Sequence, residues 1–218
     1  MTGYSSRIEA DRHFSTRAED TQEELMTTML KLTMLTMFTL LFVASATMFA
    51  AGTTDTLNVN YFTNANTSGA PDGTVQLTNP GTYNGGNICA EIYVFYPDEE
   101  MAACCGCTLS PDDLRTLSIN KDITSNPLTG VVPTNGVIKV VSNTTANGCD
   151  PRHLSPVAAV RAWGTHVLSP STGGFAITET EFQNATLSAG ETAGLAAQCS
   201  AIYLDGSGHG ICSCGTGF

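Results

Sequence analysis

Positive charge is scarce in this sequence of 218 residues, and the scarcity excludes a large class of partner. Nine Lys and Arg residues stand against twenty Asp and Glu residues, which gives a net charge of −11. Beyond residue 46 the chain keeps five cations against fourteen carboxylates, the cations being Arg115, Lys121, Lys139, Arg152 and Arg161. So few cations neutralise few phosphates, and an acidic surface is repelled by anionic lipid head groups. We therefore expect no nucleic acid partner, and a surface whose charge keeps the protein soluble.

Catalytic motifs are absent from the sequence as well. It contains no Gly-x-Ser-x-Gly elbow, no His-Glu-x-x-His pair and no phosphate-binding glycine loop. Of the four histidines, His166 lies in a strand-like run and His209 in a glycine-rich stretch that positions a side chain poorly. The sequence thus predicts a protein that is not an enzyme, with no catalytic residues, no cofactor and no metal ligands.

The first 25 residues are polar and of mixed charge, with no apolar periodicity. Such a segment cannot bury a core, so residues 1–25 are predicted to be a disordered extension. They carry six carboxylates and three arginines, where a positive leader is typical of exported chains. The alternative interpretation is a start codon placed too early, with Met26 or Met29 as the true start.

Residues 26–51 have the three parts of a secretory signal peptide. Lys31 precedes a short apolar centre over Leu35–Ala44, and Ala44-Ser45-Ala46 provides small residues at the spacing that signal peptidase accepts. The alternative is a retained transmembrane anchor, because the uncharged run 32–54 exceeds the roughly eighteen residues that a span requires. Threonines dilute that run, which favours the cleaved signal. We therefore expect an exported protein, secreted or in the cell envelope, with a membrane contact only if this segment is retained.

Eight cysteines follow this segment, and three of them stand within four positions. The full set is Cys89, Cys104, Cys105, Cys107, Cys149, Cys199, Cys212 and Cys214. In an exported chain an even count predicts four disulfides, although spacing alone does not choose among the pairings. All eight are therefore disulfide candidates.

The triplet Cys104, Cys105 and Cys107 is predicted to join different elements. In an extended chain Cys104 and Cys105 point to opposite faces, whereas Cys105 and Cys107 share one. We therefore expect the triplet to fasten a loop between two strands to two other elements. Cys199, on a predicted helix, and the two cysteines of the tail are the natural partners, which leaves the other two cysteines for the remaining bonds.

The alternative for these cysteines is a metal or redox site. The triplet, the tail pair and His209 could supply thiolate and imidazole ligands to a tetrahedral ion. Zinc sites mostly pair cysteines two to four residues apart, however, whereas here no residue or one residue intervenes. No iron–sulfur spacing matches either. An oxidising compartment also favours disulfides over metal-bound thiolates, so we expect no metal.

Residues 52–218 are predicted to form a single β-rich domain. Short alternating runs are separated by Gly, Pro, Asn and Asp, and the predicted strands cover 56–62, 74–78, 88–96, 116–119 and 136–142. The run 88–96 is the strongest because it is rich in β-branched and aromatic residues. Within it Tyr93 and Phe95 are predicted to be core, with a sugar-binding platform that includes Tyr96 as the alternative. Residues 157–168 and 175–187 are predicted to form a hairpin around a long turn.

Two helix starts are indicated. Ser110-Pro111-Asp112-Asp113 is typical of an N-cap with proline at the first helical position. Ser188 and Glu191 form a capping box, after which Leu195, Cys199 and Ile202 recur on one helical stripe. We therefore predict a mainly β fold, a disulfide-stapled β-sandwich or open barrel with one short C-terminal helix, preceded by the signal peptide.

The function that fits these features best is a secreted or cell-surface structural or interaction module without catalytic activity. Expected partners are other surface proteins, carbohydrate or a second copy of the chain, the last through Leu57–Phe62 added to a neighbour's sheet. A first strand paired within its own domain is the simpler interpretation of that segment. One alternative function is a carbohydrate-active hydrolase that uses carboxylates such as Glu91, Asp98 or Asp112. The other is a metal or redox protein built on the cysteine clusters.

One segment also carries a resemblance. The stretch from Ile92-Tyr93-Val94-Phe95 through Cys104-Cys105-Gly106-Cys107 to Leu117-Ser118-Ile119 and Leu128-Thr129-Gly130 resembles uncharacterised secreted, cysteine-containing bacterial proteins. The likeness covers residues 88–130. It implies export and implies no activity, because no function is attached to those proteins.

Overall fold

A computed structural model of the protein describes residues 56–215. The predicted extension at residues 1–25 and the predicted signal peptide at residues 26–51 lie outside the described residues. Within residues 56–215 no helix is both long enough and apolar enough to cross a membrane. These residues form a mainly β fold with one long helix near the C-terminus, as the alternating segments predict.

Within the described part of the chain, nine antiparallel strands form two sheets. Along the chain they are β1 (Leu57–Phe62), β2 (Thr74–Thr78), β3 (Ile88–Phe95), β4 (Met101–Leu109), β5 (Leu114–Ser118), β6 (Gly136–Thr144), β7 (Arg161–Leu168), β8 (Ala176–Glu181) and β9 (Gln183–Ala185). Sheet A has the strand order β4-β3-β6-β1-β9, and sheet B has the order β5-β2-β7-β8. A π-helical turn, Ile119–Ile123, follows β5, and a 3-10 turn, Thr145–Asn147, follows β6.

The two sheets pack face to face as a β-sandwich. Ile88, Ile92 and Val94 of β3 join Leu77 of β2 and Leu117 of β5 in one buried cluster between the sheets. Each such side chain contributes about 1.5–3 kcal/mol when fully buried, so this layer is the main source of stability. All eight residues of β3 are buried, which agrees with the strength of its sequence signal.

The helix α1 (Ala189–Asp205) begins and ends where the sequence indicates. The Ser188 side chain accepts a 3.1 Å hydrogen bond from the backbone N–H of Glu191, which satisfies one donor at the helix start. The Glu191 carboxylate does not complete a reciprocal capping box, because it accepts instead from Lys139 Nζ at 2.6 Å. Gly206 caps the far end.

Helix α1 covers part of the outer face of sheet A, where it buries the end of β3 that contains Tyr93 and Phe95. The stripe of Leu195, Cys199 and Ile202 is confirmed as the buried face of the helix. It packs against Tyr93 and Val141 on the outer face of the sheet. The domain therefore has three layers, with α1 and sheet B on opposite sides of sheet A.

The segment Ser110–Asp113 is a turn, and the helix start predicted there is wrong. The Asp113 N–H donates to the Ser110 carbonyl at 3.1 Å, and Asp112 has a φ of +61°. Proline at the second position and a positive φ at the third are features of a type II turn. Since β4 ends at Leu109 and β5 begins at Leu114, the four residues between them only reverse the chain.

The cysteine triplet lies within strand β4, so the prediction that it occupies a loop is also wrong. β4 pairs with β3 from Ile88 opposite Leu109 to Phe95 opposite Met101. Its sequence of Ala, Cys and Gly has little intrinsic strand preference, because these small residues lack the branched side chains that favour strands. Pairing with β3 and the disulfides described below hold it extended.

Strand β1 is paired on both sides within its own chain. It pairs with β6 along its whole length, and Leu57–Val59 also pair with β9. The simpler interpretation of Leu57–Phe62 as an internal strand is confirmed. Its whole length is thus occupied by β6 on one side, and its first three residues are occupied by β9 on the other.

Candidate functional site

All eight cysteines form disulfides, and three of the four bonds involve β4. The bonds are Cys89–Cys149, Cys104–Cys199, Cys105–Cys212 and Cys107–Cys214. No cysteine is free. The triplet is thus bonded to the helix and to the tail, as its alternation and the positions of the other cysteines indicate.

The alternation of β4 decides which element each cysteine reaches. Cys104 belongs to the buried cluster beneath α1, where it meets Cys199. Cys105 and Cys107 belong to the cluster between the sheets and bond to the two cysteines of the tail. Adjacent residues of a strand point to opposite faces, so this division follows once pairing with β3 holds the triplet extended.

The tail covers the free edge of β4. The Cys104 N–H donates to the Gly210 carbonyl at 2.9 Å, and beyond it the Ser213 N–H donates to the Asp122 carbonyl at 2.8 Å. An uncovered edge strand would expose unpaired backbone groups that attract other chains. The two disulfides of the tail therefore hold the tail against this edge.

The thiolate metal site considered for these cysteines is not formed. Its five cysteines are bonded to one another or to Cys199, and His209 is exposed with its Nδ1 3.1 Å from Asn126 Oδ1. A disulfide sulfur has no thiolate charge to offer a cation. The clusters therefore act as covalent links in this structure.

The three carboxylates considered for hydrolysis do not form a pair. Asp98 and Asp112 are exposed residues of the turns at opposite ends of the β3–β4 hairpin. The seven residue steps between those ends span roughly 20 Å at strand spacing, well beyond the 5–9 Å between catalytic carboxylates. Glu91 lies between them on β3 and is fully buried, with a relative exposure of 0%.

Glu91 is the centre of the most unusual site in the domain. It lies on the outer face of sheet A beneath the loop 148–155, with Oε1 accepting from Asn143 Nδ2 at 3.1 Å. Its other oxygen, Oε2, is buried and has no hydrogen-bond partner. A carboxylate oxygen of Glu91 and the Sγ atoms of Cys89 and Cys149 all lie within 4.8 Å of one another. We call this group the Glu91 site.

Burial controls the ionisation of this site. It raises the pKa of Glu91 from 4.5 to about 7, against the opposing effect of the Asn143 hydrogen bond and with a smaller contribution from the charge of Asp150. The Arg152 side chain, which donates to Asp150 through two nitrogens at 2.7 and 2.8 Å, holds the pKa of Asp150 well below its usual range. Burial also raises the pKa of Tyr93, and Glu91 adds to that shift.

The loop above Glu91 is tied down at several points. The Tyr93 hydroxyl donates to the Pro151 carbonyl at 2.7 Å, and Asn143 Oδ1 accepts from the Ser155 N–H. Beneath the loop, β4 needs a glycine. A Cβ on Gly106 would lie 2.0 Å from the Cys149 carbonyl oxygen and 2.2 Å from Glu91 Oε2. Any larger residue at 106 would push the loop away from the sheet.

A second feature is an open cleft where the first half of α1 leans over sheet A. We call it the α1 cleft; its volume is about 490 Å³, and it is lined by Phe95, Tyr96, Pro97, Glu99, Val137, Lys139, Glu191, Gly194, Leu195 and Gln198. This volume lies within the range of small-molecule sites. Apolar residues from β3 and α1 face a few polar groups there.

The polar groups of the α1 cleft centre on one cation. Lys139 Nζ donates to Glu191 Oε1 at 2.6 Å and lies 4.9 Å from the centre of the Phe95 ring. The Tyr96 hydroxyl is held by contacts with Thr129 Oγ1 at 2.6 Å and with the Val131 carbonyl at 2.8 Å. The cleft thus presents fixed aromatic walls beside an ion pair that is partly open to solvent.

Some of these residues had a signal in the sequence and others did not. Glu91 is conspicuous as a carboxylate inside the most apolar run, and Gly194 as a glycine inside a capped helix. Lys139 and Asn143 lie on a strand of ordinary appearance, and only the packing of α1 and the loop above them gives them a role. Of the suggested sugar platform, Phe95 and Tyr96 line the α1 cleft, whereas Tyr93 is fully buried in the core.

Comparison of the chain with protein-family models, with curated proteins and with solved structures finds no match.

Proposed function

We propose that this chain is an exported, disulfide-locked β-sandwich that acts as a binding module, without catalytic activity, and that it holds a carbohydrate in the α1 cleft. Four disulfides and no free thiol fit an oxidising compartment. Export is also supported by the signal-like composition of residues 26–51 and by the resemblance of residues 88–130 to secreted bacterial proteins. The separation of the three candidate carboxylates supports binding over hydrolysis.

The observation that carries the proposal is the glycine at position 194. A glycine in a helix interior destabilises the helix by about 0.5–1 kcal/mol relative to alanine. Packing does not require it, because a Cβ built on Gly194 meets no atom within 4 Å. The missing side chain leaves the helix backbone bare on the side that lines the cleft. A ligand that packs against this bare backbone would explain why glycine stands at position 194.

The chemistry of the cleft favours a hydroxyl-rich ligand. Lys139 donates, the Glu191 carboxylate accepts and the Gln198 amide does both, so hydroxyl groups find partners of either kind. Sugar rings also present C–H faces, for which Tyr96, Val137 and Leu195 provide apolar contact. The acidic surface disfavours anionic polymers, so we assign the site to neutral carbohydrate.

Two matched glycines of α1 allow a direct test. The wild type is compared with Gly194→Leu and Gly190→Leu in two binding assays. The first is affinity gel electrophoresis with soluble neutral polysaccharides, and the second is pull-down on cellulose and chitin. Gly190 lies in the first turn and outside the cleft, and its Cβ would meet only Ser188 Oγ at 3.9 Å. We expect binding that Gly190→Leu retains and that Gly194→Leu weakens by about tenfold or more, a loss of about 1.4 kcal/mol.

Three results would contradict the proposal. The wild type binds none of these polysaccharides, or Gly194→Leu binds as well as Gly190→Leu. The third is the appearance of new reducing ends in the binding mixture, which would show hydrolysis.

A further inference from the structure

The Glu91 site takes no part in the α1 cleft, and its composition points to a different chemistry. A carboxyl group with one unpartnered, buried oxygen lies within 4.8 Å of both sulfurs of the Cys89–Cys149 disulfide. Among the described residues this is the one group of three metal-ligating side chains so close together. Because its two sulfurs are bonded to each other, the group offers no thiolates to a metal.

We propose that the Cys89–Cys149 disulfide is a thiol–disulfide exchange site for a dithiol reductant, and that Glu91 is the buried proton donor to the Cys89 sulfur. This activity is independent of carbohydrate binding in the α1 cleft. It assigns a task to Glu91, which among residues 56–215 is the one buried carboxyl group that has an oxygen without a hydrogen-bond partner.

Exposure decides which sulfur is attacked. Cys89 is fully buried, with a relative exposure of 0%, whereas Cys149 is partly exposed. The exposed residue Thr108 lies beside it, with Oγ1 3.1 Å from Cys149 Sγ, where its hydroxyl can donate to Cys149 Sγ when that sulfur leaves the mixed disulfide in the second step. An incoming thiolate therefore reaches Cys149, and the Cys89 sulfur is the leaving group.

The backbone favours release of Cys149 after reduction. Cys149 has a φ of +55° and follows Gly148 at +67°, so a residue with a side chain occupies the left-handed region that favours glycine. Strained positions of this kind concentrate at functional sites. The disulfide holds Cys149 in this conformation, and its reduction lets the residue leave it.

The exchange balances as follows. A thiolate of the reductant attacks Cys149 Sγ, a mixed disulfide forms, and the electron pair of the broken S–S bond goes to Cys89 Sγ. The Glu91 carboxylic acid transfers its proton to that sulfur. The second thiol of the reductant loses its proton to water and attacks the reductant's own sulfur in the mixed disulfide. The reductant departs as a cyclic disulfide, and Cys149 Sγ is left as a thiolate. Cys149 and Glu91 then each take one proton from water.

The surroundings leave Glu91 as the proton source. Tyr93, on the same strand, keeps its proton in the bond to Pro151. In the loop above, Asp150 is paired with Arg152 and also contacts His153 Nδ1 at 3.1 Å. On α1, Tyr203 lies against Arg152, at 4.4 Å from ring centre to guanidinium carbon. A thiolate left at Cys89 would be fully buried beside Glu91, and Arg152 in the loop above is already paired with Asp150, so the thiolate needs a proton.

The experiment follows the reduction of each disulfide separately. Oxidised wild-type protein and Glu91→Gln are treated with dithiothreitol at pH 6 to 8.5, quenched with acid, alkylated and mapped by peptide mass spectrometry. We expect Cys89 and Cys149 to be labelled first. We expect their reduction to be about tenfold slower in Glu91→Gln at pH 6, and the ratio of the two rates to fall towards one above pH 7 as Glu91 loses its proton.

Comparison at equal pH cancels the thiolate fraction of the reductant. The rate for the fully buried Cys104–Cys199 bond, measured in the same samples, is the internal reference that corrects for any change in the opening of the fold. A second variant, Asp150→Asn, removes a charge that raises the pKa of Glu91, so the fall in the ratio should move to lower pH. Reduction of Cys89–Cys149 no faster than the other three bonds would overturn the proposal. So would a wild-type to Glu91→Gln ratio that is the same at every pH.

Discussion

At the scale of single residues, Glu91 makes the stability of the fold depend on pH as the pH approaches neutrality. Its carboxyl group is buried beneath the loop 148–155, and burial raises its pKa from 4.5 to about 7. The folded state therefore holds a proton between those values that the unfolded state releases. Stability from the neutral carboxyl is complete below about pH 4.5 and is lost as the pH rises through 7.

Glu91→Gln should remove this loss because glutamine stays neutral at every pH. The rise in the pKa of Glu91 from 4.5 to about 7 corresponds to about 3 kcal/mol of free energy of unfolding. We expect the variant to match the wild type near pH 4.5 and to be more stable by up to about 3 kcal/mol at pH 8. Urea unfolding of both proteins across this range measures the difference.

His166 is the reason to compare two proteins rather than follow one. Burial lowers the pKa of His166, so its contribution to stability is lost as the pH falls below 6.5, opposite in sign to that of Glu91. This effect is common to both proteins and cancels in their difference. A difference that stays constant from pH 5 to pH 8 would show that Glu91 is ionised in the folded protein throughout.

At the scale of elements, α1 is held to sheet A by its apolar stripe and by one covalent bond. Leu195, Cys199 and Ile202 are buried against the sheet, and Cys199 is bonded to Cys104 across 95 residues of chain. A disulfide that closes so long a loop stabilises mainly by restricting the unfolded state. The stripe and the ion pair between Glu191 and Lys139 of β6 supply the rest of the attachment.

Removing this disulfide with Cys104→Ala and Cys199→Ala together should lower the free energy of unfolding by about 2–5 kcal/mol. The sheets remain, because the other three bonds and the inter-sheet core do not depend on α1. Urea unfolding followed by circular dichroism measures the loss. The matched control is Leu204→Ser on the same helix, where the side chain is 80% exposed and no change is expected. An unchanged stability in the double variant would mean that the bond contributes nothing to the helix contact.

Local sequence patterns predict some elements and miss those whose structure depends on pairing with a distant strand. Alternation predicts β1, β2 and β6, and β-branched and aromatic residues predict β3. The cap and the apolar stripe predict α1. Ser110-Pro111-Asp112 fits a helix start and a turn equally well, and only the neighbouring strands select the turn. The strand character of β4 depends on its pairing with β3. A local propensity scale does not include that contact.

The two sites were harder to predict than the fold for the same physical reason. The sequence shows Glu91 within an apolar run, but Asn143 and the loop that carries Cys149 come from more than 50 residues away. The α1 cleft joins β3, β6 and α1, and no short motif spans those three. The sequence shows which residue types are present, whereas the fold determines which distant residues lie next to them.

At the scale of the described domain, the disulfides tie the elements that flank strands β3 and β4 to the β-sandwich. Three bonds radiate from β4, one to the helix and two to the tail that covers its edge. The fourth ties the loop over Glu91 to β3. Such a network is suited to a module that works in an oxidising environment without cellular repair.

The mass of the full-length gene product, expressed in an exporting host and collected under non-reducing conditions, tests this central claim most directly. We expect the mature chain to be eight hydrogens lighter than its reduced form, and peptide mapping to return Cys89–Cys149, Cys104–Cys199, Cys105–Cys212 and Cys107–Cys214. Free thiols in the collected protein, with or without bound zinc, would contradict it.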